Sequence, residues 1–164
     1  MSDIRYVAAE SLDEAVKAML AAGGQGKILA GGTDLLVQMR SGAQNPGTIV
    51  DVKKIDEVMQ IVELPDGGFR IGAAVSGAVI GEHRKLAAAW PGVVEAINLI
   101  GSKQVQGRAS AGGNLCNSSP AADSVPALVA AGAKVTIQGP NGRREIPVEA
   151  FPTGPGRNCL QLGE

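Results

Sequence analysis

The sequence predicts an α+β fold of two lobes: a small βαβ lobe, then a larger lobe with helices and a mainly antiparallel sheet. Three observations carry this expectation. A short apolar run, Lys27–Ala30, leads into Gly31-Gly32, a helical stretch and a second apolar run, Thr48–Val52. Strand, helix, strand in that order closes a parallel unit. Beyond residue 58 the apolar residues alternate on both sides of Pro65-Asp66-Gly67-Gly68, which is hairpin patterning. A second hairpin is expected around Gly139-Pro140-Asn141-Gly142. The lobes are expected to comprise residues 1–57 and 58–164.

The elements follow from local signals. Ser11-Leu12-Asp13-Glu14 has the form of a capping box, in which Ser11 accepts the Glu14 amide and Glu14 reaches back to the Ser11 amide. Leu12, Ala15, Val16, Met19 and Leu20 then make one helical stripe, which Gly23-Gly24 ends. Lys27–Ala30 and Thr48–Val52 are apolar enough to be buried strands, and Thr33 or Asp34 is placed to cap a helix that runs to about Arg40. Met59–Leu64 pairs with Phe69–Val75. Two helical stretches follow, Ser76–Ala89 and Pro91–Ile100. Ser102–Asn117, rich in Gly, Ser and Asn, is expected to be an ordered loop. Pro120–Ala131 forms a helix, and Lys134–Gln138 pairs with Arg143–Val148.

Composition narrows the function. The chain has 164 residues, 15 Lys plus Arg against 16 Asp plus Glu, and a net charge of -1. A nucleic-acid surface needs an excess of positive charge. Only 2% of residues are aromatic, so Ala, Val, Ile and Leu must build the core. Cys116 and Cys159 lack the spacing of a zinc or iron–sulfur site. No apolar run reaches the roughly 18 residues needed to span a bilayer, and the start lacks a signal-peptide pattern. The expectation is a cytoplasmic protein with reduced thiols.

Two glycine-rich segments could carry chemistry. In Leu29-Ala30-Gly31-Gly32-Thr33-Asp34-Leu35 a strand enters a glycine pair and then a helix start, so backbone amides can approach an anion with no side chain in the way. In Ser110-Ala111-Gly112-Gly113-Asn114-Leu115-Cys116-Asn117 a second glycine pair is followed by small polar residues and, further on, by Asp123. Their donors and acceptors suit a phosphate or a polyhydroxyl chain. Gly23-Gly24-Gln25-Gly26-Lys27 fails as a phosphate loop, because Ala21 and Ile28 stand where Gly and Ser or Thr are needed. His83, the single histidine, has no visible catalytic partner and is expected at the surface or in helix packing. Arg40, Lys53, Lys54, Arg84 and Lys85 are expected to be solvated charge. With no acid, base or nucleophile in evidence, any redox chemistry must come from a bound cofactor.

These segments together resemble the FAD-binding domain of the molybdopterin dehydrogenases, the family of the flavin subunits of aerobic carbon monoxide dehydrogenase and xanthine dehydrogenase. The likeness runs from Tyr6 and Ser11-Leu12 through Leu29–Leu35, Ile71-Gly72-Ala73, Ile100-Gly101-Ser102, Gly112-Gly113-Asn114 and Ser119–Asp123 to Arg144, Ile146-Pro147 and Gly154-Pro155-Gly156-Arg157. Gln106, Ser110 and Ala111 stand where Arg, Thr and Ile are usual.

The resemblance implies a two-lobed FAD-binding fold with FAD between the lobes. Leu29, Ala30, Gly31, Gly32, Thr33, Asp34 and Leu35 would wrap its pyrophosphate. Gly112, Gly113, Asn114, Asn117 and Asp123 would hold the pyrophosphate or the ribityl chain, with Ser110 nearby, and Ile100 and Gly101 would border the flavin. The family's flavin subunits carry a further C-terminal domain, expected to be absent here. The implied partners are a molybdenum-cofactor large subunit and a [2Fe-2S] small subunit in a hetero-oligomer. An interaction module that keeps the fold but not the flavin is the alternative, and a reductase of the related cell-wall precursor type is a third.

Overall fold

A computed structural model describes residues 4–164. The first part of the chain runs β1 (Arg5–Ala8), α1 (Leu12–Ala21), β2 (Gly26–Leu29), α2 (Leu35–Arg40) and β3 (Thr48–Asp51). The strands form one parallel sheet in the order β1-β3-β2. Every residue of β3 is buried, as the central place in a parallel sheet requires. The Lys27–Ala30 segment is not the buried strand expected: β2 is an edge, and Ile28 is exposed. Strand β1 was not expected: it is a four-residue edge strand with exposed Arg5 and Tyr6 and no turn signal before it.

The α1 cap forms with one change of partner. The Glu14 amide donates to Ser11 Oγ at 3.2 Å, but the Glu14 carboxylate accepts the Glu10 amide at 2.8 Å and not that of Ser11. Leu12, Ala15, Ala18 and Met19 pack with Val50, Val52 and Ile55, the first of three hydrophobic clusters.

A 3₁₀ turn at Asp56–Met59 leads into β4 (Ile61–Glu63) and β5 (Phe69–Ile71), the expected antiparallel hairpin. The single helix expected over Ser76–Ala89 is two: α3 (Gly77–Glu82) and α4 (Arg84–Ala89). His83 breaks it by adopting an extended ψ of 91°, and its Nδ1 accepts the Leu86 amide at 3.1 Å. The ring also meets Phe69 edge-on at 5.8 Å. Then comes α5 (Pro91–Ile97).

The segment expected as a loop contains α6 (Lys103–Gln106) and α7 (Ala111–Asn117), capped by Ser102 and Ser110. These helices are too short for an apolar period to show. The next helix, α8 (Ser124–Ala130), starts later than Pro120, because Pro120–Asp123 form a turn. The hairpin of β6 (Lys134–Gly139) and β7 (Gly142–Pro147) is as expected, and a small ladder of β8 (Pro152–Gly154) and β9 (Arg157–Asn158) follows. The antiparallel strands thus lie in three separate two-stranded ladders.

Two further clusters form the remaining core. One gathers Val75, Ile80, Leu86, Val94, Ile97 and Ala111, and the other Leu115, Ile137, Val148 and Phe151. Helix α7 belongs to both, through Ala111 and Leu115 one turn apart, so its inner face is pinned twice. Among the described residues no helix is long and apolar enough to cross a membrane.

Replacing His83 with Ala removes the α4 cap and the contact with Phe69. Urea unfolding is expected to show a loss of about 1 kcal/mol, and an unchanged midpoint would mean that the break in the helix does not depend on His83.

Candidate functional site

The first glycine segment is shaped by contact between backbones. A Cβ on Gly31 would lie 1.9 Å from the Arg108 carbonyl oxygen, so no residue with a side chain fits there. Gly32 takes φ +78°, in the left-handed region. The next intrahelical bond runs from the Leu36 amide to the Gly32 carbonyl. Among the described residues, the amides of Gly31, Gly32, Thr33, Asp34 and Leu35 have no hydrogen-bond partner. Several unpartnered donors in a row, beginning at two glycines, can hold an anion.

The cap expected here is absent. Asp34 occupies the N-cap position in a helical conformation, with no side-chain bond to an amide of α2. Its carboxylate accepts Asn117 Nδ2 at 2.7 Å, tying the turn to the end of α7.

The second glycine segment is the first turn of a helix and not the loop expected. Gly113 donates its amide to Ser110 Oγ at 3.1 Å, so that donor is committed to the cap. A Cβ on Gly112 would lie 2.4 Å from the Ala73 carbonyl oxygen, so Gly112 serves close packing. What α7 offers is side chains. Asn114 Oδ1 accepts the Ser124 hydroxyl at 2.7 Å, which fixes the amide and leaves its NH₂ as a donor.

A cleft of about 290 Å³ lies between these walls. Of the expected residues, Thr33, Asp34, Ile100, Gly101, Asn114 and Asn117 line it. Ser119, one of the small polar residues that follow the second glycine pair, also lines it, as do Val105 and Ala121, to which the sequence assigns no role. Leu29 of β2, Ala30, Gly31 and Gly32 in the turn after it, Leu35 of α2, Ser110 at the N-cap of α7 and Gly112 and Gly113 within that helix are not part of the lining. Asp123 is exposed at the N-cap of α8 and is not part of the lining.

One cluster beneath the turn corrects another expectation. Lys53 is not solvated charge. Its Nζ donates to the Ala30 carbonyl at 3.0 Å and pairs with Asp51 Oδ1 at 2.7 Å. Tyr6 donates its hydroxyl to Asp51 Oδ2 at 2.6 Å. Burial pushes the Asp51 carboxyl up, but the bonds from Lys53 and Tyr6 together outweigh it and hold it below the ordinary aspartate range. The hydrogen bond to Asp51 raises the Tyr6 phenol.

The family model described as the FAD binding domain in molybdopterin dehydrogenase matches residues 2–164. The chain belongs to this family.

The xanthine dehydrogenase FAD-binding subunit of Escherichia coli O157:H7 is 35% identical over 159 residues, covering 97% of this chain and 54% of that protein. The carbon monoxide dehydrogenase medium chain of Hydrogenophaga pseudoflava is 32% identical, covering 97% of this chain and 55% of that one. A solved structure of the Hydrogenophaga pseudoflava enzyme, in a form lacking the Mo-pyranopterin moiety, superposes with a TM-score of 0.92 at 31% identity, over 98% of this chain and 55% of that chain. This FAD-binding domain therefore spans about half the length of the relatives it matches.

Two outcomes test this arrangement. Gly31→Ala forces the turn away from Arg108 and is expected to lower stability by about 1–3 kcal/mol in urea unfolding. Because Asp51 titrates lower in the folded chain than in the unfolded one, its contribution is present above the unfolded value of about 3.9 and is lost as pH falls through the folded value. Asp51→Asn should flatten that acid limb of the stability profile. If wild type and variant lose stability in parallel below pH ~4, the Asp51 network does not govern the limb.

Proposed function

We propose that this chain is the FAD-holding part of the flavoprotein subunit of a molybdenum hydroxylase. The unpartnered amides from Gly31 to Leu35, a turn whose Thr33 and Asp34 line one cleft with Asn114 and Asn117 of α7, carry this proposal. When bound, FAD supplies the redox chemistry that links the iron–sulfur clusters of a partner to an external acceptor. The chain's own residues bind and orient it.

The residues divide by chemistry. A pyrophosphate carries acceptors only, and the amides of Gly31 to Leu35 are donors only, so the two are complementary. Asn114 and Asn117, with Ser119, suit the hydroxyls of the ribityl chain. Ile100 and Gly101 offer an apolar edge for the flavin ring, with Val105 beside them. Leu29, Ala30, Ser110, Gly112, Gly113 and Asp123 act behind this contact layer. The cleft then divides a lobe of residues 1–57 from one of residues 58–164.

The partners proposed are a molybdenum-cofactor large subunit and a [2Fe-2S] small subunit, in the cytoplasm. The names of two relatives, a medium chain and an FAD-binding subunit of dehydrogenases, support an assembly of several subunits. The large subunit would select the substrate, which accords with a cleft that has no acid–base pair of its own.

Titrating the purified chain with FAD tests the proposal. Saturable binding with altered flavin fluorescence is expected, and Asn117→Ala should weaken it by about tenfold, the loss of one to two hydrogen bonds. Failure of the wild-type chain to take up FAD would overturn the proposal.

A further inference from the structure

We infer that Lys53 is a positioning residue for FAD, holding the Ala30–Gly31 peptide so that the Gly31 amide presents to the pyrophosphate. This rests on the proposed FAD site and adds a residue to it that makes no contact with the ligand.

The argument starts from the peptide group. The Ala30 carbonyl and the Gly31 N–H belong to one planar trans unit and point in opposite directions. A ligand to the oxygen therefore sets the direction of the nitrogen. Lys53 Nζ is that ligand, at 3.0 Å. Without it the peptide before two glycines would rotate easily, because glycine opposes few backbone angles.

Lys53 is itself held. Asp51 Oδ1 accepts both its Nζ, at 2.7 Å, and its backbone amide, at 2.9 Å. Asp51 Oδ2 is occupied by the Tyr6 hydroxyl at 2.6 Å. The chain of bonds thus crosses the sheet from edge strand β1, over central β3, to the turn that leaves edge strand β2. The next lysine shows the contrast. Lys54 pairs with Glu10 at 3.3 Å with both side chains mostly exposed, at 62% and 73%, whereas those of Lys53 and Asp51 are exposed by 28% and 12%.

The pairing also determines how Lys53 acts. With Asp51 alongside, its charge is largely balanced, so it gives little long-range attraction for phosphate. What it supplies is local: a fixed peptide plane, and polarisation of that peptide, which strengthens the N–H as a donor. The effect should therefore appear at the pyrophosphate and not at the flavin ring.

The experiment uses the full chain and its Lys53→Met, Lys53→Arg and Tyr6→Phe variants. It reads FAD affinity, the ³¹P resonances of bound FAD, the visible spectrum of bound flavin and the unfolding temperature of the FAD-free protein. Lys53→Met should weaken FAD by about tenfold, the worth of one charge-assisted hydrogen bond, and shift the ³¹P resonances with the flavin spectrum unchanged. Lys53→Arg should recover most of the affinity. Tyr6→Phe, which loosens Asp51 alone, should move affinity and ³¹P shifts the same way by less, and it carries the test if Lys53→Met does not fold.

A variant that unfolds at lower temperature but keeps wild-type affinity and ³¹P shifts would make Lys53 a stabilising residue only and overturn the inference. That result leaves the FAD proposal standing. Absence of FAD binding by the wild type removes both.

Discussion

Everything about the cleft depends on backbone meeting backbone where a Cβ would collide. At Gly31 the obstacle is the carbonyl of Arg108, and at Gly112 it is Ala73. Gly72 repeats the arrangement against Val58, at 2.4 Å. Each contact joins segments far apart in sequence, and each is closed to any residue larger than glycine. These contacts set the spacing between the turn after β2 and helix α7, and the polar groups of the cleft inherit their positions from it. Tight packing of this kind is specific because the interior has little freedom to yield.

The two walls do different work. The turn contributes amides, whose direction is fixed by the covalent backbone. The helix contributes asparagine side chains, whose direction is fixed by neighbours such as Ser124. The rear of α7 is anchored in two hydrophobic clusters through Ala111 and Leu115. A helix of seven residues would be marginal alone. Here it is stiff because packing, and not its own hydrogen bonds, sets its place. Beneath the turn, Tyr6, Asp51 and Lys53 form a polar net at the sheet's end, where an isolated carboxylate would be costly to bury.

Much of this was legible in the residues. Gly31-Gly32 after an apolar run indicates a strand and a turn, and the two hairpins follow from Pro65–Gly68 and Gly139–Gly142. Thr33, Asp34, Ile100, Gly101, Asn114 and Asn117 do meet in one cleft. The misses have physical causes. Short helices such as α6 and α7 have too few turns for a period to emerge, so Ser102 and Ser110 looked like loop residues when they are caps. A glycine pair looks the same whether its amides are open or capped, which hid the difference between Gly31 and Gly113. Lys53 looked like solvated charge because its partners, Ala30 and Asp51, are brought to it by sheet pairing.

The bond between Asp34 and Asn117 joins residues 83 apart in the chain. Contacts of such long separation form late, because the loop between them must first be closed at an entropic cost. The cleft is thus complete only after both halves of the chain have found each other, and no short fragment contains it. A ligand that spans the two walls binds the finished fold alone. It stabilises that fold in proportion to RT ln(1 + [L]/Kd). Cofactor supply in the cell would then set how much of this protein survives as well as how much of it is loaded.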